Sequence, residues 1–228
     1  MTTRSDRAGA VPSDGRIRTY AGRAGRRSAL TVERLERFLP ARAIPPGPLV
    51  PADVFGRSAP LVLDIGCGHG AAAIAYASTH PAADVLAVDV HLPGIARLLA
   101  AADQAGVTNL RVEIGDAVPL LTGRVGPAAL AAVHLFYPDP WPKRGHVKRR
   151  FVQASTLELF ASRLAPGGHV LVATDQDAYA EHVRTEVAAQ GSFVVREVAR
   201  PQWRPVDGFE RKGLAAGRRV TDLRLDLV

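Results

Sequence analysis

A short apolar run that stops on three alternating glycines, PLVLDIGCGHGA (60–71), constrains this chain more than any other feature. A buried strand that gives way to Gly66, Gly68 and Gly70, and then to a helical stretch over 71–78, is a strand–turn–helix unit. The alternation then repeats. DVLAVDV (84–90) and LRVEIGDA (110–117) predict two further strands, AAVHLFYPDPW (131–141) contains a fourth and HVLVATD (169–175) a fifth. Helices are expected over 93–105, 148–164 and 177–190, with terminal strands near 193–199 and 220–227. Upstream, TVERLERFLP (31–40) has helical spacing with Thr31 as its N-cap, and Pro45, Pro46 and Pro48 close it. This order implies an α/β fold: a doubly wound, mostly parallel sheet with an antiparallel strand at its C-terminal end.

With 228 residues the chain can build one substantial domain. Residues 1–27, rich in Gly, Ser and Arg without apolar periodicity, read as a disordered basic arm ahead of a single domain over 28–228. No apolar run reaches the ~18 residues that a membrane-crossing helix needs. The N-terminal stretch lacks the apolar core of a secretory signal, so a cytoplasmic protein is expected. The one cysteine, Cys67, excludes a disulfide framework and a cysteine-cluster zinc site, and no metal is expected.

Charge is sorted along the chain. Residues 1–45 carry ten arginines against four acids, 46–142 four arginines against eight acids, and 143–228 fifteen bases against ten acids. The net charge of +7 therefore sits in two basic flanks around an acidic middle. Arginine outnumbers lysine 26 to 3, which a base-composition bias explains. Such a bias does not explain the sorting, and a polyanionic partner such as a nucleic acid does.

In a doubly wound sheet, ligands bind at the carboxyl ends of the strands. The first strand ends on Asp64, Gly66 and Gly68, the second on Asp89 and the third on Asp116. Asp89 is placed to accept hydrogen bonds from ribose hydroxyls and Asp116 to meet an adenine amino group. The glycines alone also satisfy a dinucleotide fingerprint. Asp64 and Asp116 favour S-adenosylmethionine, because carboxylates suit a ligand bearing ammonium and sulfonium charges and would repel a pyrophosphate. The fourth strand ends in FYPDPWPKRGHVKRR (136–150), where Pro138, Pro140 and Pro142 stiffen the backbone around Asp139. Trp141 offers a surface for stacking on a base, and Lys143, Arg144, Lys148, Arg149 and Arg150 follow with no acid between them, as phosphate contacts require.

Together these residues resemble the bacterial tRNA (guanine-N(7)-)-methyltransferase family, a class I methyltransferase family. YPDPWPKRGHVKRR carries the likeness most specifically, and IRTYAGRAGR (17–26), LAPGGHVLVATDQDAYAEHV (164–183) and RPVDGFERKG (204–213) extend it. The resemblance implies S-adenosylmethionine as cofactor, held by Asp64, Gly66, Gly68, Asp89, Asp116 and Asp139, with Asp139 also catalytic. It implies tRNA contacts at Lys143, at Gly145, His146, Val147, Lys148, Arg149 and Arg150, at Asp175, and at Asp207, Gly208, Phe209 and Glu210. The family usually has glutamate where Asp64 and Asp89 stand, and threonine-lysine where Asp207 and Gly208 stand. The implied reaction is methyl transfer to nitrogen 7 of guanine 46 in the tRNA variable loop, by a monomer or homodimer with no obligate protein partner. The alternative is an S-adenosylmethionine-dependent methyltransferase acting on another RNA, a protein or a small molecule.

Overall fold

The computed structural model describes residues 19–20 and 28–228. The expectation of a disordered arm over 1–27 therefore lies almost wholly outside the described residues. Seven strands of the described residues form one sheet: β1 (Leu61–Ile65), β2 (Asp84–Asp89), β3 (Leu110–Ile114), β4 (Leu130–Phe136), β5 (Leu164–Thr174), β6 (Phe193–Val198) and β7 (Thr221–Leu227). Their spatial order is β3-β2-β1-β4-β5-β7-β6. β1 pairs parallel with β2 and β4, whereas β7 runs antiparallel to both β5 and β6. The strand order reverses between β1 and β4, which opens a crevice at their carboxyl ends.

Among the described residues, eight α-helices flank the sheet: α1 (Ala29–Arg42), α2 (Pro51–Phe55), α3 (Ala71–Thr79), α4 (Leu92–Gln104), α5 (Ala117–Gly123), α6 (Ala154–Arg163), α7 (Asp177–Gln190) and α8 (Gly208–Ala215). One apolar layer gathers Leu63, Val133, Leu157, Phe160 and Val183 on one face of the sheet, and a second gathers Val85, Ile95, Leu98 and Leu99 on the other. Gly70, which caps α3 in the left-handed region, is fixed by this packing: a Cβ there would meet Leu98 Cγ at 2.3 Å.

Several local expectations are corrected. α1 starts at Ala29 because Ser28, not Thr31, is its N-cap, accepting from the Thr31 N–H. The basic run forms a 3₁₀ turn over Arg144–Arg149, and α6 begins only at Ala154. Gln153 divides them, since it donates to the Arg150 carbonyl at 2.8 Å and forms a capping box with Thr156. β5 starts at Leu164, five residues before the strand expected over 169–175, and takes in Pro166–Gly168 at a register shift. The short helices α2, α5 and α8 lacked enough periodicity to be read, although Pro51, Asp116 and Asp207 are their start signals.

One buried cation ties the C-terminal segment to the sheet. Arg204, 2% exposed, donates to Glu210 Oε2 at 2.6 Å, to both Asp222 carboxylate oxygens at 2.9 and 3.0 Å, and to the Tyr137 hydroxyl at 3.3 Å. It thereby joins α8, β7 and the end of β4. Removing one partner of such a cluster leaves its counter-charges buried and uncompensated. Arg204→Met is expected to lower stability by about 3–5 kcal/mol, read from the urea midpoint at pH 7; a loss under about 1 kcal/mol would show that water screens the cluster.

Candidate active site at the switch point

The loop after β1 is shaped by glycines in the left-handed region, with φ of 69° at Gly66 and 55° at Gly68. Asp89 ties it down, one oxygen accepting from the Gly68 N–H and the other from the His91 N–H, both at 2.8 Å. The start of α4 presses close as well, since a Cβ on Gly94 would lie 2.5 Å from the Gly68 carbonyl oxygen. Gly66, by contrast, faces open space. Backbone and carboxylates thus border a cradle whose glycines leave room for a ligand.

Asp64 lies at the floor of this cradle. It is 2% exposed, and its Oδ2 has no hydrogen-bond partner. Burial, followed by the charges of Asp89 and Asp207, pushes its pKa up to about 8. Among the described residues no neighbouring cation relieves this. His134, in register with Asp64 on β4, is itself buried, and that burial holds its pKa down to about 3. It is neutral and clusters with Trp203 and Phe136, whose ring centroids lie 5.0 and 5.2 Å from its own. Cys67 is pushed up by burial and by Asp64 and Asp89, so its thiol stays protonated. Asp116, at the end of β3, caps α5 by accepting from the Val118 N–H at 2.9 Å.

Across the crevice, the loop after β4 is strained. Tyr137 has φ 52° and Trp141 φ 40°, unusual for bulky residues. The loop is held from below: Tyr137 N–H donates to Ala173, and Arg150 Nε donates to the Pro140 carbonyl at 3.0 Å. Arg150, expected as a tRNA contact, is buried against Tyr179, where its guanidinium props the loop from inside. Asp139, between the strained residues, is exposed. Lys143, Arg144, Gly145 and Lys148 are exposed beside it, while His146, Val147 and Arg149 are half-buried. Arg149 lies 4.9 Å over the Trp141 ring, and Trp141 Nε1 donates to the Thr19 carbonyl, so Trp141 already has one face covered.

α8 closes the third side. Asp207 caps it, accepting from the Phe209 and Glu210 N–H groups at 2.8 Å each. Threonine and aspartate both cap helices, so Asp207 retains the cap that the resembled motif's threonine would make. Gly208 is exposed, and Phe209, 61% exposed, lies nearly parallel to Tyr137 with centroids 6.4 Å apart. Glu210, expected as a tRNA contact, faces inward to Arg204. Asp175 accepts from Arg218 at 2.8 Å and packs against Gly213, where a Cβ would approach it to 2.8 Å. The sequence reading missed Arg204, Tyr137 and Arg218, because an arginine's partners far along the chain leave no local pattern.

A parallel-sheet switch point lined by a glycine loop and carboxylates is the cofactor crevice of a Rossmann-like methyltransferase. The Methyltransf_4 family model, described as "Putative methyltransferase", matches residues 58–223. The tRNA (guanine-N(7)-)-methyltransferase of Thiobacillus denitrificans is 42% identical over 213 residues, covering 91% of this chain and 94% of that protein. That of Mycobacterium avium is 45% identical over 186 residues, covering 78% of this chain and 70% of its own. The chain belongs to the tRNA (guanine-N(7)-)-methyltransferase family. Solved structures share the fold at low identity: the 16S rRNA methyltransferase KamB aligns with TM-score 0.57 and 17% identity, over 82% of this chain and 97% of KamB. The 16S rRNA (adenine(1408)-N(1))-methyltransferase of Catenulisporales acidiphilia aligns with TM-score 0.53 and 19% identity, over 78% and 89%. No described helix is long and apolar enough to cross a membrane, and no described cluster of His, Cys, Asp or Glu could hold a metal ion.

The raised Asp64 pKa has a consequence for the ligand-free protein. The unfolded chain gives up this proton near 3.8, whereas the folded protein holds it to about 8. Between those values the folded state binds the extra proton, so this group's contribution to stability falls as pH rises and levels off above about 8. Asp64→Asn is expected to remove that slope, so its thermal midpoint should gain on wild type from pH 5 to pH 8. Parallel melting curves across that range would contradict the buried, protonated state.

Proposed function

We propose that this chain transfers a methyl group from S-adenosylmethionine to nitrogen 7 of guanine 46 in the variable loop of tRNA, in the cytoplasm. The observation that carries the cofactor reading is the unpartnered oxygen of Asp64 at the floor of the glycine cradle. A ligand ammonium would satisfy that oxygen and offset the repulsion from Asp89 and Asp207. The tRNA reading is supported by the names of the relatives and by the exposed basic run beside the crevice.

When bound, S-adenosylmethionine supplies a methyl group activated on a sulfonium. Asp64 would hold the ammonium, and Asp89, whose oxygens each keep a free lone pair beyond their backbone donors, would accept from the ribose hydroxyls. Asp116 would face the adenine amino group. Asp139 would stand against the positive charge that the guanine ring acquires. Nitrogen 7 carries no proton, so the residues around it need only orient the base in line; no side chain has to act as a general base. Lys143, Arg144 and Lys148 would place the RNA backbone, and Phe209 with Tyr137 would present aromatic faces to the base. Asp175 would act by packing against Gly213 of α8 and pairing with Arg218 just beyond it, which sets the position of α8 beside the base.

Transfer of labelled methyl to tRNA transcripts with guanine or adenine at position 46 tests this reading. Label should require guanine there, and label on both transcripts would refute the assigned position. Asp139→Ala is expected to keep the fold and part of the cofactor affinity and to lose roughly 10²–10³ in rate; a near wild-type rate would remove Asp139 from the reaction.

A further inference from the structure

A cleft of about 450 Å³ lies away from the crevice, lined by Arg37, Phe38, Ala41, Arg42, Asp103, Thr108 and Arg111. Arg37 and Ala41, like Phe38 and Arg42, are four residues apart on α1, so one helix face supplies this wall. β3 supplies the other. Arg42 Nη1 and Arg111 Nη1 donate to the same acceptor, the Leu110 carbonyl, at 3.4 and 3.1 Å. Leu110 is fully buried at the start of the edge strand, so two guanidinium groups are pinned side by side on a rigid carbonyl. Arg111 is held further by the Thr108 carbonyl at 2.9 Å.

Among the described residues, none of the three arginines makes an ion pair. Asp84, the acid whose charge reaches Arg111, is already held by Arg57 at 2.7 Å. Asp103 also lines the cleft, and a bound anion would sit toward Arg42 and Arg111 rather than beside it. Like charges held together without a counter-ion repel, and an anion between them removes that repulsion. Arg37 lies 4.9 Å from the Phe38 ring, which places a flat cationic and aromatic surface next to the pinned pair. A phosphodiester flanked by a sugar or base fits that combination.

We propose that this cleft binds backbone phosphates of the RNA substrate, at a second contact remote from the crevice. The choice of RNA rests on the function proposed above. Arg111 lies five residues before Asp116, about 16 Å along the strand direction, and a folded tRNA is several times longer than that separation. Contacts of this kind set register rather than sequence choice.

The test measures tRNA affinity against salt concentration for wild type, for a triple variant Arg37→Ala, Arg42→Ala, Arg111→Ala, and for a charge-retaining variant Arg37→Lys, Arg42→Lys, Arg111→Lys. The alanine variant should bind tRNA at least tenfold more weakly at low salt, with the slope of log affinity against log salt reduced by about 2 to 3. The lysine variant should recover most of that slope, which separates phosphate contact from misfolding. A wild-type slope in the alanine variant overturns the proposal. So does an unchanged tRNA slope accompanied by micromolar binding of inorganic pyrophosphate, which would mark a free-anion site. If wild type binds tRNA through the cleft but methylates none, the proposed reaction fails and this site stands; if wild type methylates tRNA and the alanine variant keeps its slope, this site alone fails.

Discussion

A carboxylate buried without a partner is the constraint around which the crevice is organised. Asp64 is the fourth residue of a five-residue strand that is buried along its whole length, so its side chain cannot swing to water without disturbing β1. Its neighbours add to the cost, because Asp89 and Asp207 are acidic and His134 is neutral. A fold that served only its own stability would place an apolar residue here. The same carboxylate becomes favourable once a cation occupies the glycine cradle above it.

The other wall of the crevice depends on two buried arginines. Arg150 holds the Pro140 carbonyl from beneath, and Arg204 holds the Tyr137 hydroxyl while pairing with Glu210 and Asp222. Left-handed backbone at Tyr137 and Trp141 costs of order 1–3 kcal/mol each. These internal supports keep the loop in that conformation and so fix where Asp139 stands. α8 is tied to the same supports through Glu210 and, by its contact with Asp175, to the end of β5. The strained loop and the closing helix therefore form one mechanical unit.

The strand–helix alternation was legible because period and glycine breaks are local signals; β1, β2, β3 and β4 lie where the pattern put them. Asp64, Asp89 and Asp116 could be placed at strand ends for the same reason. Burial could not be read this way. Arg149 and Arg150 are sequence neighbours with equal charge, yet one lies over the Trp141 ring and the other is buried beneath the loop, a division set by tertiary packing. The burial of Glu210 was also hidden, since it follows from its pairing with Arg204, itself buried by tertiary packing. The arginine cleft was equally invisible, since Arg42 and Arg111 are far apart in sequence and meet only at the Leu110 carbonyl.

The most direct test of the Asp64 account is calorimetry of S-adenosylmethionine binding at pH 7 in buffers of different ionisation enthalpy. With its pKa near 8, Asp64 is mostly protonated before binding, and an ammonium beside it would drive that proton off. The account predicts release of close to one proton per cofactor in wild type and none in Asp64→Asn. Binding with the same enthalpy in every buffer would contradict it.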